Sequence, residues 1–209
     1  MQYKAMSKEE PNGQLIDAAK TGDVERIKRL LEQGAEIDAR DNEGWTAMME
    51  AAWNEQVDVV RLLVEHGAKV DARDNKGWTA LMKAAFWGNR DNVKFLAEHE
   101  ADVDARDNDG WTALMWAAWK GHLDVVRFLV EHGANLSVKD NKGKTAAMIA
   151  RENSRKDVVG YLDPLTQFKE RIENTGKGSA GLELKPGIRS ILRTGYEYNA
   201  AKHGVSYAV

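Results

Sequence analysis

Apolar residues in this chain fall into pairs of short helical patterns that return at a fixed interval. From Val57 to His66 the apolar positions Val57, Val59, Val60, Leu62, Leu63 and Val64 cover a wide helical face, wide enough to touch a neighbour on either side. A shorter helix is predicted before it, Ala47 to Trp53, with Thr46 placed to cap the free N–H groups of its first turn. Gly67 ends the second helix, and the Gly-Ala and Asp-Asn-x-Gly stretches supply turns. The pair recurs. DNEGWTAMMEAAW starts at Asp41, DNKGWTALMKAAF at Asp74, DNDGWTALMWAAW at Asp107 and DNKGKTAAMIARE at Asp140, a period of 33 residues. A divergent unit runs from about Asn12 to Arg40, with Gly34 one period before Gly67, so five units are expected.

The pattern D-x-x-G-x-T-x-L-x-x-A-A, then V-V-x-x-L, then G-A-x-V, is similar to the ankyrin repeat over residues 12–163. The resemblance implies an all-α solenoid of five helix-turn-helix units with extended or hairpin loops, followed by a C-terminal helical extension. The expected divisions are a lead at 1–11, a cap at 12–40, units at 41–73, 74–106, 107–139 and 140–163, and an extension of no recognised family at 164–209. Where the family has Thr-Pro-Leu-His, this chain has TAMM, TALM, TALM and TAAM. Met49, Met82 and Met115 there exchange a polar contact for adaptable packing.

Two stretches break the regularity. Arg26 and Arg29 stand where later units carry Val59 and Leu62, as a polar end cap requires, and Arg151 replaces a recurring Ala. At that far end Val159 and Leu162 need cover, which the stripe Leu165, Phe168 and Ile172 beyond Pro164 is expected to give. In the middle unit Arg90 and Asn92 replace Val57 and Val59, and Glu100 replaces a turn glycine. A non-Gly left-handed residue costs about 1 kcal/mol and a buried unpaired Asn about 1 to 3, so this unit should be the softest.

The resemblance implies a protein or peptide partner held on the concave side formed by loop tips and first helices. The residues carried over to that surface are Trp45, Trp53, Trp78, Phe86, Trp87, Trp111, Trp119, Arg73, Arg106 and Lys120, with Trp116 one turn away. Tryptophan gives a large contact area at low entropy cost. Trp45, Trp78 and Trp111 serve equally well packed on one another to stiffen the loop row, whereas Trp53, Trp87 and Trp119 favour binding. Arg40, Arg73, Arg106 and Lys139 form a basic row, expected to stack on neighbouring Trp rings or to meet an acidic or aromatic peptide. A self-associating scaffold and a reader of a cationic, methyl-lysine-like peptide, its pockets edged by Glu43, Glu50 and Asp109, are rival readings.

Composition narrows the chemistry further. The 209 residues are 43% hydrophobic and 30% charged, mean hydropathy is −0.57, and no run of 18 apolar residues occurs. With no Cys there is no disulfide or thiolate chemistry, and a cytoplasmic protein is expected. The net charge of −3 argues against nucleic acid. No nucleotide loop or hydrolase motif appears, and His66, His99 and His132 recur at helix ends, so no enzyme, metal or cofactor is expected and the chain is read as a monomer. NTGKGSAG reads as a linker. Beyond it Ile188, Ile191, Leu192, Tyr196 and Tyr198 suggest an amphipathic segment. Residues 164–209 hold seven basic against four acidic residues, leaving residues 1–163 at −6, and self-docking of the tail on the aromatic groove is one expectation.

Overall fold

In a computed structural model, residues 11–175 are described, with side chains through residue 167. The tail residues 176–209, including the expected amphipathic segment and His203, lie outside the described residues, as do the side chains of Phe168 and Ile172. The fold is an all-helical solenoid, and no strand occurs among the described residues. First helices α1 (Pro11–Thr21), α3 (Ala47–Trp53), α5 (Ala80–Trp87), α7 (Ala113–Lys120) and α9 (Ala146–Glu152) stack in one row. Second helices α2 (Val24–Glu32), α4 (Val57–Glu65), α6 (Arg90–Glu98), α8 (Leu123–Glu131) and α10 (Lys156–Thr175) stack behind them.

First helices α3, α5, α7 and α9 each start at a threonine whose hydroxyl accepts from the N–H three residues on, as Thr46 from Met49 at 3.4 Å, Thr79 from Met82 at 3.3 Å and Thr112 from Met115 at 3.4 Å. Alanines on the inner faces, such as Ala51, Ala84 and Ala117, are fully buried, so the rows approach closely. Leu63, Leu96 and Leu129 fill the same place in successive second helices. The histidines at the helix ends behave as helix-end groups: Nδ1 of His66 donates to the Leu62 carbonyl at 2.8 Å, and Nδ1 of His99 to that of Phe95 at 2.7 Å.

The loops join by a ladder rather than by strands. Backbone N–H groups of Asn75, Asn108 and Asn141 each donate at 3.0 Å to the preceding loop, at Glu43, Lys76 and Asp109. Gly77 has φ 79°, and a Cβ there would stand 2.6 Å from the Asn108 side-chain oxygen, so both conformation and space demand glycine. A second set of ties escaped the sequence reading. Asn89 Nδ2 donates to the Ala52 carbonyl at 2.8 Å, His122 Nε2 to that of Phe86 at 3.1 Å and Arg155 Nε to that of Trp119 at 2.8 Å. Each comes from the turn between the helices and crosses to the previous repeat.

The cap arginines meet water as expected, Arg29 exposed and Arg26 half-buried. At the far end Leu162 and Leu165 are buried, and Arg151 pairs with Asp163 at 2.7 Å. α10 runs through Pro164, where the repeat pattern ends, because the forfeited backbone bond is offset by burial of Leu162 and Leu165 on either side. The Tyr161 hydroxyl is buried there without a partner, and burial, reinforced by Glu131 and opposed by Arg127, pushes its pKa up to about 12.

The middle unit carries the strain read from its sequence. Glu100 has φ 67°, and Asn92 is 1% exposed with its side-chain oxygen unpaired. Glu55 and Ser154 are also left-handed, at φ 63° and 56°, where Gly88 and Gly121 stand in other units. Replacing Glu100 with Gly should raise stability by about 1 kcal/mol, and Asn92→Val by about 1 to 2 kcal/mol, read as higher urea midpoints at unchanged slope. Tyr161 generates a pH prediction. Its folded pKa lies above the ordinary 10, so the unfolded chain loses the proton first and stability falls as pH rises from about 10 to 12. Urea midpoints measured across that range should fall for the wild type by more than for Tyr161→Phe.

Candidate functional site

The side lined by the loops and first helices is organised by the aspartate that opens each repeat. Asp41, Asp74 and Asp107 each accept the backbone N–H four residues on, from Trp45 at 2.7 Å, Trp78 at 2.9 Å and Trp111 at 2.8 Å. The second oxygen of Asp74 takes the Lys83 ammonium at 2.8 Å, and that of Asp107 takes the Trp116 indole N–H at 3.0 Å. Lys83 and Trp116 occupy one repeat position, nine residues after the Asp, so two unlike side chains make the same bond. Glu50 fills that position in the preceding unit. Burial pushes its carboxyl up, with Lys20 opposing and Asp41 reinforcing.

The loop tryptophans do not stack directly on one another. Lys83 lies between Trp45 and Trp78, its ammonium 3.3 Å and 5.2 Å from their ring centres, and Trp116 lies between Trp78 and Trp111 at 4.2 Å and 4.3 Å. Trp45, Trp78, Trp111 and Trp116 are half-buried and pack against the core. In front of them stands an outer layer. Trp53 stacks on Phe86 at 5.4 Å, Trp87 meets both edge-on at 5.1 Å and 5.3 Å, and Phe86 reaches Trp119 at 5.8 Å. Trp87 is 46% exposed, the largest exposure of any ring here. The Lys120 ammonium sits over Phe86, Trp119 and Trp87 at 4.1, 4.8 and 5.5 Å.

The strip has polar ends. Four residues after its opening Asp the last unit has Lys144 instead of Trp, and twelve after it Glu152, and these pair at 2.5 Å where the other units pair rings. The equivalent of Trp53 in the first unit is Lys20. The aromatic surface therefore spans three repeats.

Arg40 and Arg106 were expected to stack on tryptophans or face a partner, but each donates forward to the carbonyl 33 residues on, at Arg73 and at Lys139, the latter at 2.9 Å. Arg106 also donates to the Gly110 carbonyl at 3.3 Å. A planar fork at the loop edge is taken by backbone carbonyls left free by the turn, and the cations on the rings are Lys83 and Lys120 instead. Lys83 was missed altogether. Its alignment with Trp116 was the available signal, and burial lowers its pKa against the pull of Asp74.

The family model for ankyrin repeats (3 copies) matches residues 15–107 and 100–167. The chain belongs to the ankyrin repeat family. Two ankyrin repeat proteins of Rickettsia felis are similar, at 41% identity over 49 residues, 23% of this chain and 78% of that protein, and at 46% over 41 residues, 20% and 62%. The mitochondrial disaggregase of Bos taurus is 47% identical over 38 residues, 18% of this chain and only 6% of its own length. Ankyrin repeats are in general protein-interaction modules, and no helix among the described residues is long and apolar enough to cross a membrane.

Within this ankyrin array Lys83 and Trp116 face equivalent neighbours, so Lys83→Trp should leave stability within about 1 kcal/mol of wild type. Lys83→Ala, which strips a buried carboxylate of its ion-pair partner, should cost about 3 kcal/mol or more. Urea denaturation of the two variants side by side checks both values.

Proposed function

We propose that this ankyrin array binds a protein or peptide segment on the outer aromatic layer, Trp53, Phe86, Trp87 and Trp119, with Lys120 at its edge. Trp45, Trp78, Trp111 and Trp116 serve as the rigid backing, and the loop ladder is tied by the Arg106 side chain and by the Arg73 carbonyl, which accepts from Arg40. The observation that carries this reading is Trp87, a large ring left 46% exposed while packed edge-on against two others. Such a ring is pre-organised, so little side-chain entropy is lost on association. The binding unit in this reading is residues 12–163, acting without catalysis or cofactor in the cytoplasm as a monomer.

The rivals fare less well on the same geometry. A cationic peptide would meet the Lys120 ammonium already seated on the ring faces, and a like charge there repels it. The basic tail is disfavoured as an occupant for the same reason. Self-association has little to work with, because Trp87 and Met148 are the large apolar side chains exposed among the described residues, and they stand in different units.

Capture of binding proteins from a lysate of the source cells tests the proposal, with wild type and Trp87→Ala as baits. Both should show the same circular dichroism. Loss of a specific protein from the variant is expected, with its affinity lowered by about 2 kcal/mol, or roughly thirty-fold. Equal capture by both baits overturns the assignment of the strip.

A further inference from the structure

We propose that Lys120 and Arg155 form a carboxylate seat at one edge of the strip, receiving an Asp or Glu side chain of an extended segment whose neighbouring apolar residue lies on Trp87. This deepens the reading of the strip as the binding surface and rests on it. The argument starts from charge balance. Lys83 has Asp74 and Lys144 has Glu152, each at ion-pair distance, whereas no carboxylate among the described residues lies within ion-pair distance of Lys120 or Arg155. Lys120 is held instead by three ring faces, which attract the ammonium without neutralising it.

Arg155 adds the second cation. Its Nε donates to the Trp119 carbonyl at 2.8 Å, and its side chain runs past Gly121, where a Cβ would meet its Cδ at 2.9 Å. That bond fixes the stem of the arginine against the backbone on either side of Lys120 and uses one of its five N–H donors. Lys120 is half-buried among rings, so an incoming carboxylate feels a positive charge less screened than one on an open surface, and the lysine loses little further freedom.

Spacing sets the motif. The Lys120 ammonium lies 5.5 Å from the centre of Trp87, and an extended chain advances about 3.3 Å per residue. The acidic residue and the apolar residue should therefore stand one or two positions apart. A lysine in the acidic position would face two cations, so the seat selects by repulsion as well as attraction.

The test is a selection from a display library of randomised, unphosphorylated segments carried internally, so that no free C-terminus is offered. Baits are the full chain and its Lys120→Gln, Lys120→Glu, Arg155→Gln and Trp87→Ala variants, each checked for an unchanged unfolding midpoint. Wild type should enrich Asp or Glu one or two positions from an apolar residue, and Lys120→Glu should enrich Lys or Arg there. A synthetic copy of the selected segment, titrated by tryptophan fluorescence, should bind Lys120→Gln and Arg155→Gln at least tenfold more weakly. Selected segments without acidic excess, or bound equally by Lys120→Gln, overturn the carboxylate seat, and if they still need Trp87 the strip stands. Segments that bind Trp87→Ala as tightly as wild type, or a selection that enriches nothing, overturn both.

Discussion

The loop and first-helix face of this ankyrin array depends on a single carboxylate used twice. In Asp74 and Asp107 one oxygen anchors the backbone N–H of a loop tryptophan, and the other reaches the side chain nine residues on, in the first helix. The loop is thus fixed to its own helix, and the tryptophan between them has one place to go. Because the repeat distance lines these units up, the side chain at the ninth position fills the gap between successive loop rings. Lysine and tryptophan both meet the requirement, since each brings an N–H donor and a contact suited to a ring face.

From that anchor the layering follows. The backing rings are pinned by hydrogen bonds and half-buried, and of the outer rings Trp119 also touches the core, while Trp53, Phe86 and Trp87 pack on other rings. Removing the backing would cost fold as well as surface. Removing Trp87, the exposed outer ring, touches the surface alone, which separates the two roles the tryptophans can play. Longer ties add to the stiffness, as Asn89, His122 and Arg155 each cross from an inter-helix turn to the repeat before.

Much of this was legible in the sequence. The period of 33, the threonine caps and the polar end unit are local signals, and the backbone obeys them. Glu100 was legible because a glycine is missing from an otherwise regular turn, and the same comparison would have found Glu55 and Ser154 opposite Gly88 and Gly121. Side-chain partners across repeats were not legible. An arginine before a tryptophan reads as a cation for the ring, yet Arg106 is nearer the next loop's carbonyl, a preference set by the ladder geometry. Lys83 in a helix of Ala and Met reads as a solvent-facing residue, and only the folded array shows it 1% exposed between two tryptophans.

The extent of the aromatic strip bears on the size of the segment proposed to lie on it. Neighbouring helices in such a stack lie about 8 to 10 Å apart, so three repeats offer roughly 20 Å, about six residues of extended chain. Polar residues close both ends, Lys20 on one side and the Lys144–Glu152 pair on the other, which replaces a ring pair at the same two positions. Trp87 lies in the unit that also carries the unpaired Asn92 oxygen and the left-handed Glu100. Those irregularities sit on the second helix and the turn after it, away from the aromatic strip, while the first helix of that unit keeps its threonine cap and buried alanines. The strained half of the repeat and the half that carries the aromatic strip are therefore separable, and the array tolerates a soft back behind a rigid front.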